Sequence, residues 1–152
     1  VQGFISQHMK WKNCEHMKGL IEVFEHTDEG ISEIYNNGKW LISIKNWREA
    51  NSVEEISCLE IQYITDQQFA LISGKACRLL APEGMDDTTK IQVLPLEAGM
   101  IYNLPVRSWF NNVLSKNCKF MYSESSDAAD NSVYRPMSVQ QIEQMRKEVC
   151  FR

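Results

Sequence analysis

Histidine is scarce in this chain of 152 residues: its three copies, His8, His16 and His26, all precede residue 27. The rest of the sequence therefore has no imidazole to act as a metal ligand, a general base or a member of a nucleophilic triad. The five cysteines (Cys14, Cys58, Cys77, Cys118, Cys150) are never closer than 19 residues apart, which is neither a disulfide framework nor a zinc pattern. No excess of positive charge exists either. The net charge is -4 with 16 basic and 20 acidic residues, against a nucleic-acid partner held by its phosphates. No apolar run approaches the roughly 18 residues needed to cross a bilayer, so no membrane span is expected. The first residues lack the charged-then-apolar pattern of a secretory leader, and with unpaired thiols this sets the expectation of a reduced, cytoplasmic protein. With only 7 Gly and 4 Pro, no large part reads as disordered. Walker A, dinucleotide and Gly-x-Ser-x-Gly signatures are absent.

What is present is a series of short period-two segments. Residues 1–19 read as an arm or short helix stopped by Gly19, and 20–152 as a single domain. Leu20–Phe24 and Ile31–Tyr35 read as strands. The turn Asn36-Asn37-Gly38 then leads into Trp40–Trp47. Residues 56–63 form one strand with a change of register. Phe69–Ser73 and Ala76–Ala81 flank Gly74-Lys75 as a hairpin, and 82–89 is an exposed acidic loop. Residues 91–96, 100–104, 109–114 and 118–122 add four strands. Short strands with turns every 8–12 residues indicate an all-β sandwich or barrel. A capping box at Ser138 and Gln141 opens one helix, whose apolar stripe is Val139, Ile142, Met145 and Val149. It is expected against the outside of the barrel. Cys58, Cys77 and Cys118 fall inside these expected strands and read as small buried hydrophobes.

Two glycine-bounded stretches carry the most information. Glu60-Ile-Gln62 and Gln67 precede Gly74, while Pro105, Arg107, Phe110 and Leu114 follow Gly99. Their spacing resembles the paired motifs of the cupin superfamily, Gly-x5-His-x-His-x(3,4)-Glu-x6-Gly and Gly-x5-Pro-x-Gly-x2-His-x3-Asn. The resemblance covers about residues 20–149, including Thr65-Asp66 and the Ser-Val-Gln-Gln helix start. It implies a jelly-roll (double-stranded β-helix) barrel with a C-terminal helix. In cupins the three His and the Glu hold one divalent metal inside the barrel. Here those positions read Glu60, Gln62, Gln67 and Phe110, and Arg107 stands at the internal glycine. Two neutral amides and a phenyl ring are poor ligands for a transition ion, so no metal and no cofactor are expected.

The remaining polar floor suits a small neutral ligand of sugar-like character, with Gln62, Gln67, Tyr102, Trp109 and Phe110 as contact residues. The two amides also have a ligand-free solution, satisfying one another with Glu60 or Tyr102. One reading is thus a metal-free binding or assembly module. The alternative is a metal-independent isomerase, epimerase or lyase, with Glu60 as base and Tyr102 as acid. Abundant edge strands, by analogy to the fold, favour a homodimer. Weaker constellations have bland readings: His8, Cys14 and His16 as a polar face, the four tryptophans as core, and Glu83, Asp86 and Asp87 as a solvated loop. Arg107 is an exposed loop arginine or an anion-capturing fork.

Overall fold

The computed structural model describes residues 21–151. The expected N-terminal arm over 1–19, with His8, Cys14 and His16, lies outside the described residues. Ten strands follow one another: β1 (Ile31–Asn36), β2 (Trp40–Asn46), β3 (Cys58–Ile61), β4 (Gln67–Ser73), β5 (Ala76–Pro82), β6 (Gln92–Pro95), β7 (Ile101–Leu104), β8 (Ser108–Leu114), β9 (Lys119–Ser125) and β10 (Val133–Pro136). One helix, α1 (Val139–Glu148), closes the chain.

The strands form two five-stranded sheets, ordered β1-β2-β9-β4-β7 and β10-β3-β8-β5-β6. Every neighbouring pair is antiparallel. From β7 onward the chain changes sheet at each strand, the winding of a jelly roll. Both sheets contribute to one interior cluster: Phe69, Leu71, Leu104 and Phe120 from the first, and Ala76, Phe110 and Leu114 from the second. The expected jelly-roll architecture is the one observed.

The turns work as their residues require. Gly38 takes φ 81°, and the Asn37 Oδ1 accepts from the N–H groups of Lys39 and Trp40, each at 3.0 Å. Proline sits where a missing N–H does least harm: Pro95 and Pro136 end the edge strands β6 and β10.

The second sheet is covered on both faces. Its outer face, with Leu59, Ile61, Leu79, Trp109 and Val113, packs against Met145 and Val149 of the helix end and against Met137. This cluster holds 13 buried residues against 9 in the interior. The helix layer is therefore a principal core of the molecule. Ser138 Oγ accepts from the Gln141 N–H at 3.3 Å while Gln141 Oε1 accepts from the Ser138 N–H at 3.0 Å, the expected capping box. Gln141 Nε2 also donates to the carbonyls of Asp86 and Thr89 at 3.0 and 2.9 Å. One side chain thereby starts the helix and ties the acidic loop to it.

Four expectations need correction. Residues 21–27 are not a strand. The strand expected over 56–63 shortens to β3, because Gln62 turns into the Asp66 loop, whose carboxylate accepts from the Val106 N–H at 3.1 Å. Val139 is 73% exposed and leaves the apolar stripe, since at the first helical position it points away from the sheet. Strand β10 has no expected counterpart; its residues Val133 and Tyr134 are exposed, so no period-two burial marks it.

Gly74 joins β4 to β5 at φ 77°, and a Cβ there would lie 2.6 Å from Cys118 Cα and 2.7 Å from the Asn117 carbonyl oxygen. Backbone atoms cannot step aside. Gly74→Ala is expected to lose about 2–4 kcal/mol of stability through strain and overlap, measured by urea denaturation; Gly38→Ala, which meets nothing within 4 Å, loses less.

Candidate functional site

A side-chain period of two aims Leu41, Ser43 and Lys45 of β2 into the barrel. Opposite them in register on β9 stand Glu124, Tyr122 and Phe120. From the other sheet come Glu60 opposite Phe110, Tyr134 opposite Glu60, and Asn112 opposite Arg78. These rows enclose a cavity of about 310 Å³. All four positions that the cupin-like spacing singled out, Glu60, Gln62, Gln67 and Phe110, line it.

A buried cation organises its floor. Arg78 has 0% of its surface exposed. Its guanidinium lies 4.4 Å from the Phe69 ring centre and 4.2 Å from that of Phe110, a cation–π sandwich. Arg78 donates to Gln67 Oε1 at 2.6 Å and to Asn112 Oδ1 at 2.8 Å. The Gln67 amide nitrogen in turn donates to Glu124 Oε2 at 2.7 Å, and Gln62 Nε2 donates to the same oxygen at 3.0 Å. Glu60 Oε1 accepts from Ser132 Oγ at 2.5 Å and from Gln62 Nε2 at 3.5 Å. A chain of polar groups thus runs from Arg78 through Gln67, Glu124 and Gln62 to Glu60.

Burial tunes each member. It pulls the Arg78 guanidinium down to about 9, against the opposing pull of Glu60 and Glu124, so the group stays cationic at neutral pH. It pushes the Glu124 carboxyl up, while the hydrogen bonds from Gln67 and Gln62 hold it down. Tyr122 is pushed up to about 12, chiefly by burial. Lys45 is pulled down to about 8 by burial, with Arg48 and Arg78 adding repulsion.

Two buried polar atoms remain without a partner in this network, Gln62 Oε1 and Arg78 Nε. An unmet buried acceptor costs about 1–3 kcal/mol, and Gln62 is only 5% exposed. The ligand-free pairing considered for Gln62 and Gln67 therefore leaves one acceptor unsatisfied.

A divalent ion does not fit these residues. The Gln67 carbonyl is engaged by Arg78, both amide nitrogens point at Glu124, and Phe110 offers a ring. A divalent cation placed about 4 Å from the guanidinium would meet repulsion of about 8 kcal/mol at an effective dielectric of 20. No group of three or more His, Cys, Asp and Glu side chains suited to a metal exists among the described residues.

Other expected site residues lie elsewhere. The Tyr102 hydroxyl accepts from the Glu97 N–H at 3.0 Å and its ring stacks on Phe69 at 5.2 Å; it does not line the cavity. The acid–base pair of Glu60 with Tyr102 is not brought together. Trp109 belongs to the outer, helix-covered core, and its indole N–H donates to the Glu83 carbonyl at 2.9 Å. Arg107 keeps the glycine conformation its position requires, with φ 66°, and pairs with Glu83 at 3.2 Å. Asp87 pairs with Arg135 of β10 at 2.8 Å and Asp86 accepts from Thr88 and Thr89, so both loop carboxylates have protein partners. Sequence reasoning missed Lys45, Arg78, Asn112, Tyr122 and Glu124. The available signal was a charge at an inward position of an otherwise apolar strand, as in Ala76-Cys-Arg-Leu-Leu.

Lys45 makes the site's electrostatics measurable. Its folded value lies below that of an unfolded lysine, so the cost of the buried charge is fully present below about pH 8 and vanishes as pH rises toward 10.5. Lys45→Met is expected to stabilise the protein at pH 7 by up to about 3 kcal/mol. That advantage should shrink steadily in denaturation midpoints measured from pH 8 to pH 10.

No family model matches the sequence, and no curated protein does so either. Solved structures resemble the chain. A single-substitution variant of PAC13 of Streptomyces, solved with uridine, is 11% identical over 74% of this chain and 85% of that one, at TM-score 0.49. The capsular polysaccharide assembling protein CapF of Staphylococcus aureus is 14% identical over 77% of this chain and 32% of that one, at 0.48. A cupin-2 domain containing protein of Shewanella frigidimarina is 16% identical over 74% and 92%, at 0.38. With two wound antiparallel sheets and the four motif positions lining one cavity, the chain folds as a jelly roll.

Proposed function

We propose that the barrel cavity binds a small, neutral, hydroxyl-rich molecule of sugar-like character, and does so without a transition metal. The observation that carries this reading is Gln62 Oε1, a buried acceptor on the cavity wall that no donor among the described residues reaches. A ligand hydroxyl would supply the missing hydrogen bond. Around it stand groups that recognise hydroxyls by donating and accepting: Ser43, Glu60, Asn112 and Tyr122. The cavity's size, about 310 Å³, is near the lower end of the roughly 300–1,000 Å³ range of ligand pockets. Arg78 and Glu124 hold the amides in fixed orientations, so the donors and acceptors are set before the ligand arrives.

The test is isothermal calorimetry with neutral pentoses, hexoses and their polyols against the intact protein. At least one is expected to bind, with affinity falling tenfold or more in Gln62→Leu and little changed in Tyr102→Phe, which lies outside the cavity. Equal binding by the wild type and Gln62→Leu would refute the role of this acceptor.

The binding unit is proposed to be a homodimer. Exposed Ile101 at the start of the edge strand β7 and Met100 just before it supply apolar surface whose covering favours pairing. Light scattering at micromolar concentration should give twice 17.6 kDa; the single-chain mass would exclude it. Unpaired Cys58, Cys77 and Cys118 fit a reducing compartment such as the cytoplasm. No helix among the described residues is long and apolar enough to cross a membrane.

A further inference from the structure

Lys45 is the one cation lining the cavity among the described residues. It is 7% exposed, and no hydrogen-bond acceptor or carboxylate among those residues pairs with it. A surface lysine hides its stem and keeps its ammonium in water. Lys45 does the opposite, lining with Ser43, Glu60, Asn112 and Tyr122 the wall of the barrel cavity. The charged groups around it come from several elements. Arg48, after β2, and Arg78, on β5, repel its proton, Glu60 on β3 attracts it, and Cys118 before β9 adds a weaker attraction. Burial with neighbouring cations is the setting that frees a lysine amine to act as a nucleophile.

We propose that Lys45 captures carbonyl compounds: the cavity admits a small hydroxylated aldehyde or ketone, and Lys45 Nζ forms an imine with it. The inference deepens the reading of the cavity as a hydroxyl-binding site and rests on it for the ligand's polar part. The neutral amine adds to the carbonyl carbon, and the carbonyl π electrons move to oxygen. One proton passes from nitrogen to that oxygen, giving a carbinolamine. The hydroxyl then leaves as water, carrying a second proton, as nitrogen loses its other hydrogen and closes the C=N bond. No oxidation state changes, and water is the only other product. Glu60 faces the same space and already accepts from Ser132, so it is the group placed to relay these protons. Tyr122 keeps its phenolic proton across the physiological range and so remains a donor on the cavity wall.

At pH 7 about one Lys45 in ten is neutral, against roughly one in three thousand for an ordinary lysine. Lower basicity and restricted access take back part of that advantage. The experiment incubates the full chain with glyceraldehyde and cyanoborohydride at pH 7 and maps adducts by mass spectrometry. The adduct is expected at Lys45 at least about tenfold faster than at exposed Lys39, Lys90 and Lys147, on the basis of its larger neutral fraction. Its rate should level off above pH 8 while theirs keep rising. Lys45→Met should lose it, and Arg48→Gln should slow it by restoring basicity. Labelling confined to exposed lysines, or a Lys45 rate no faster than theirs, overturns the inference. Calorimetry with non-reducing polyols separates the two readings. Polyol binding with an unlabelled Lys45 sinks this inference alone, whereas rapid Lys45 labelling without polyol binding sinks the hydroxyl-binding function and leaves the reactive amine.

Discussion

A guanidinium held between two phenyl rings, wholly out of water, is the constraint around which the interior is arranged. An isolated buried charge costs far more than a single domain's net stability allows, so it must be paired and hydrogen-bonded. Arg78 meets that demand with Gln67, Asn112, Phe69 and Phe110. The Gln67 carbonyl is thereby committed, its amide nitrogen is turned toward Glu124, and Gln62 follows. Orientation propagates from one cation to every polar group on the cavity floor.

The same cation makes the cavity floor unsuited to a divalent ion. Here a protein side chain supplies the positive charge, and the surrounding positions carry amides and a ring that suit a flat, delocalised cation. The cavity lies beside this centre.

That space is bounded by groups of two kinds. Gln62, Gln67 and Glu124 are locked through the Gln62 and Gln67 amide nitrogens, whereas Lys45 and Gln62 Oε1 line the cavity with no hydrogen-bond partner among the described residues. Stability alone would favour apolar residues at such positions.

The amino-acid sequence determined the turns, the helix start and the approximate strand order, because these follow from local chemistry. Gly38 and Gly74 adopt the positive φ their turns need, Ser138 and Gln141 cap the helix as read, and even Arg107 occupies a glycine's conformation. It also indicated that positions 60, 62, 67 and 110 converge, since motif spacing fixes register on neighbouring strands. It did not reveal β10, whose exposed residues carry no alternation, nor that Trp109 joins the outer core and Tyr102 packs on the interior cluster outside the cavity lining. Above all it could not show that Arg78, Lys45 and Glu124 are interior. A charge within an apolar strand reads the same from either face, and only the packing of one sheet on the other decides which charges lose their water.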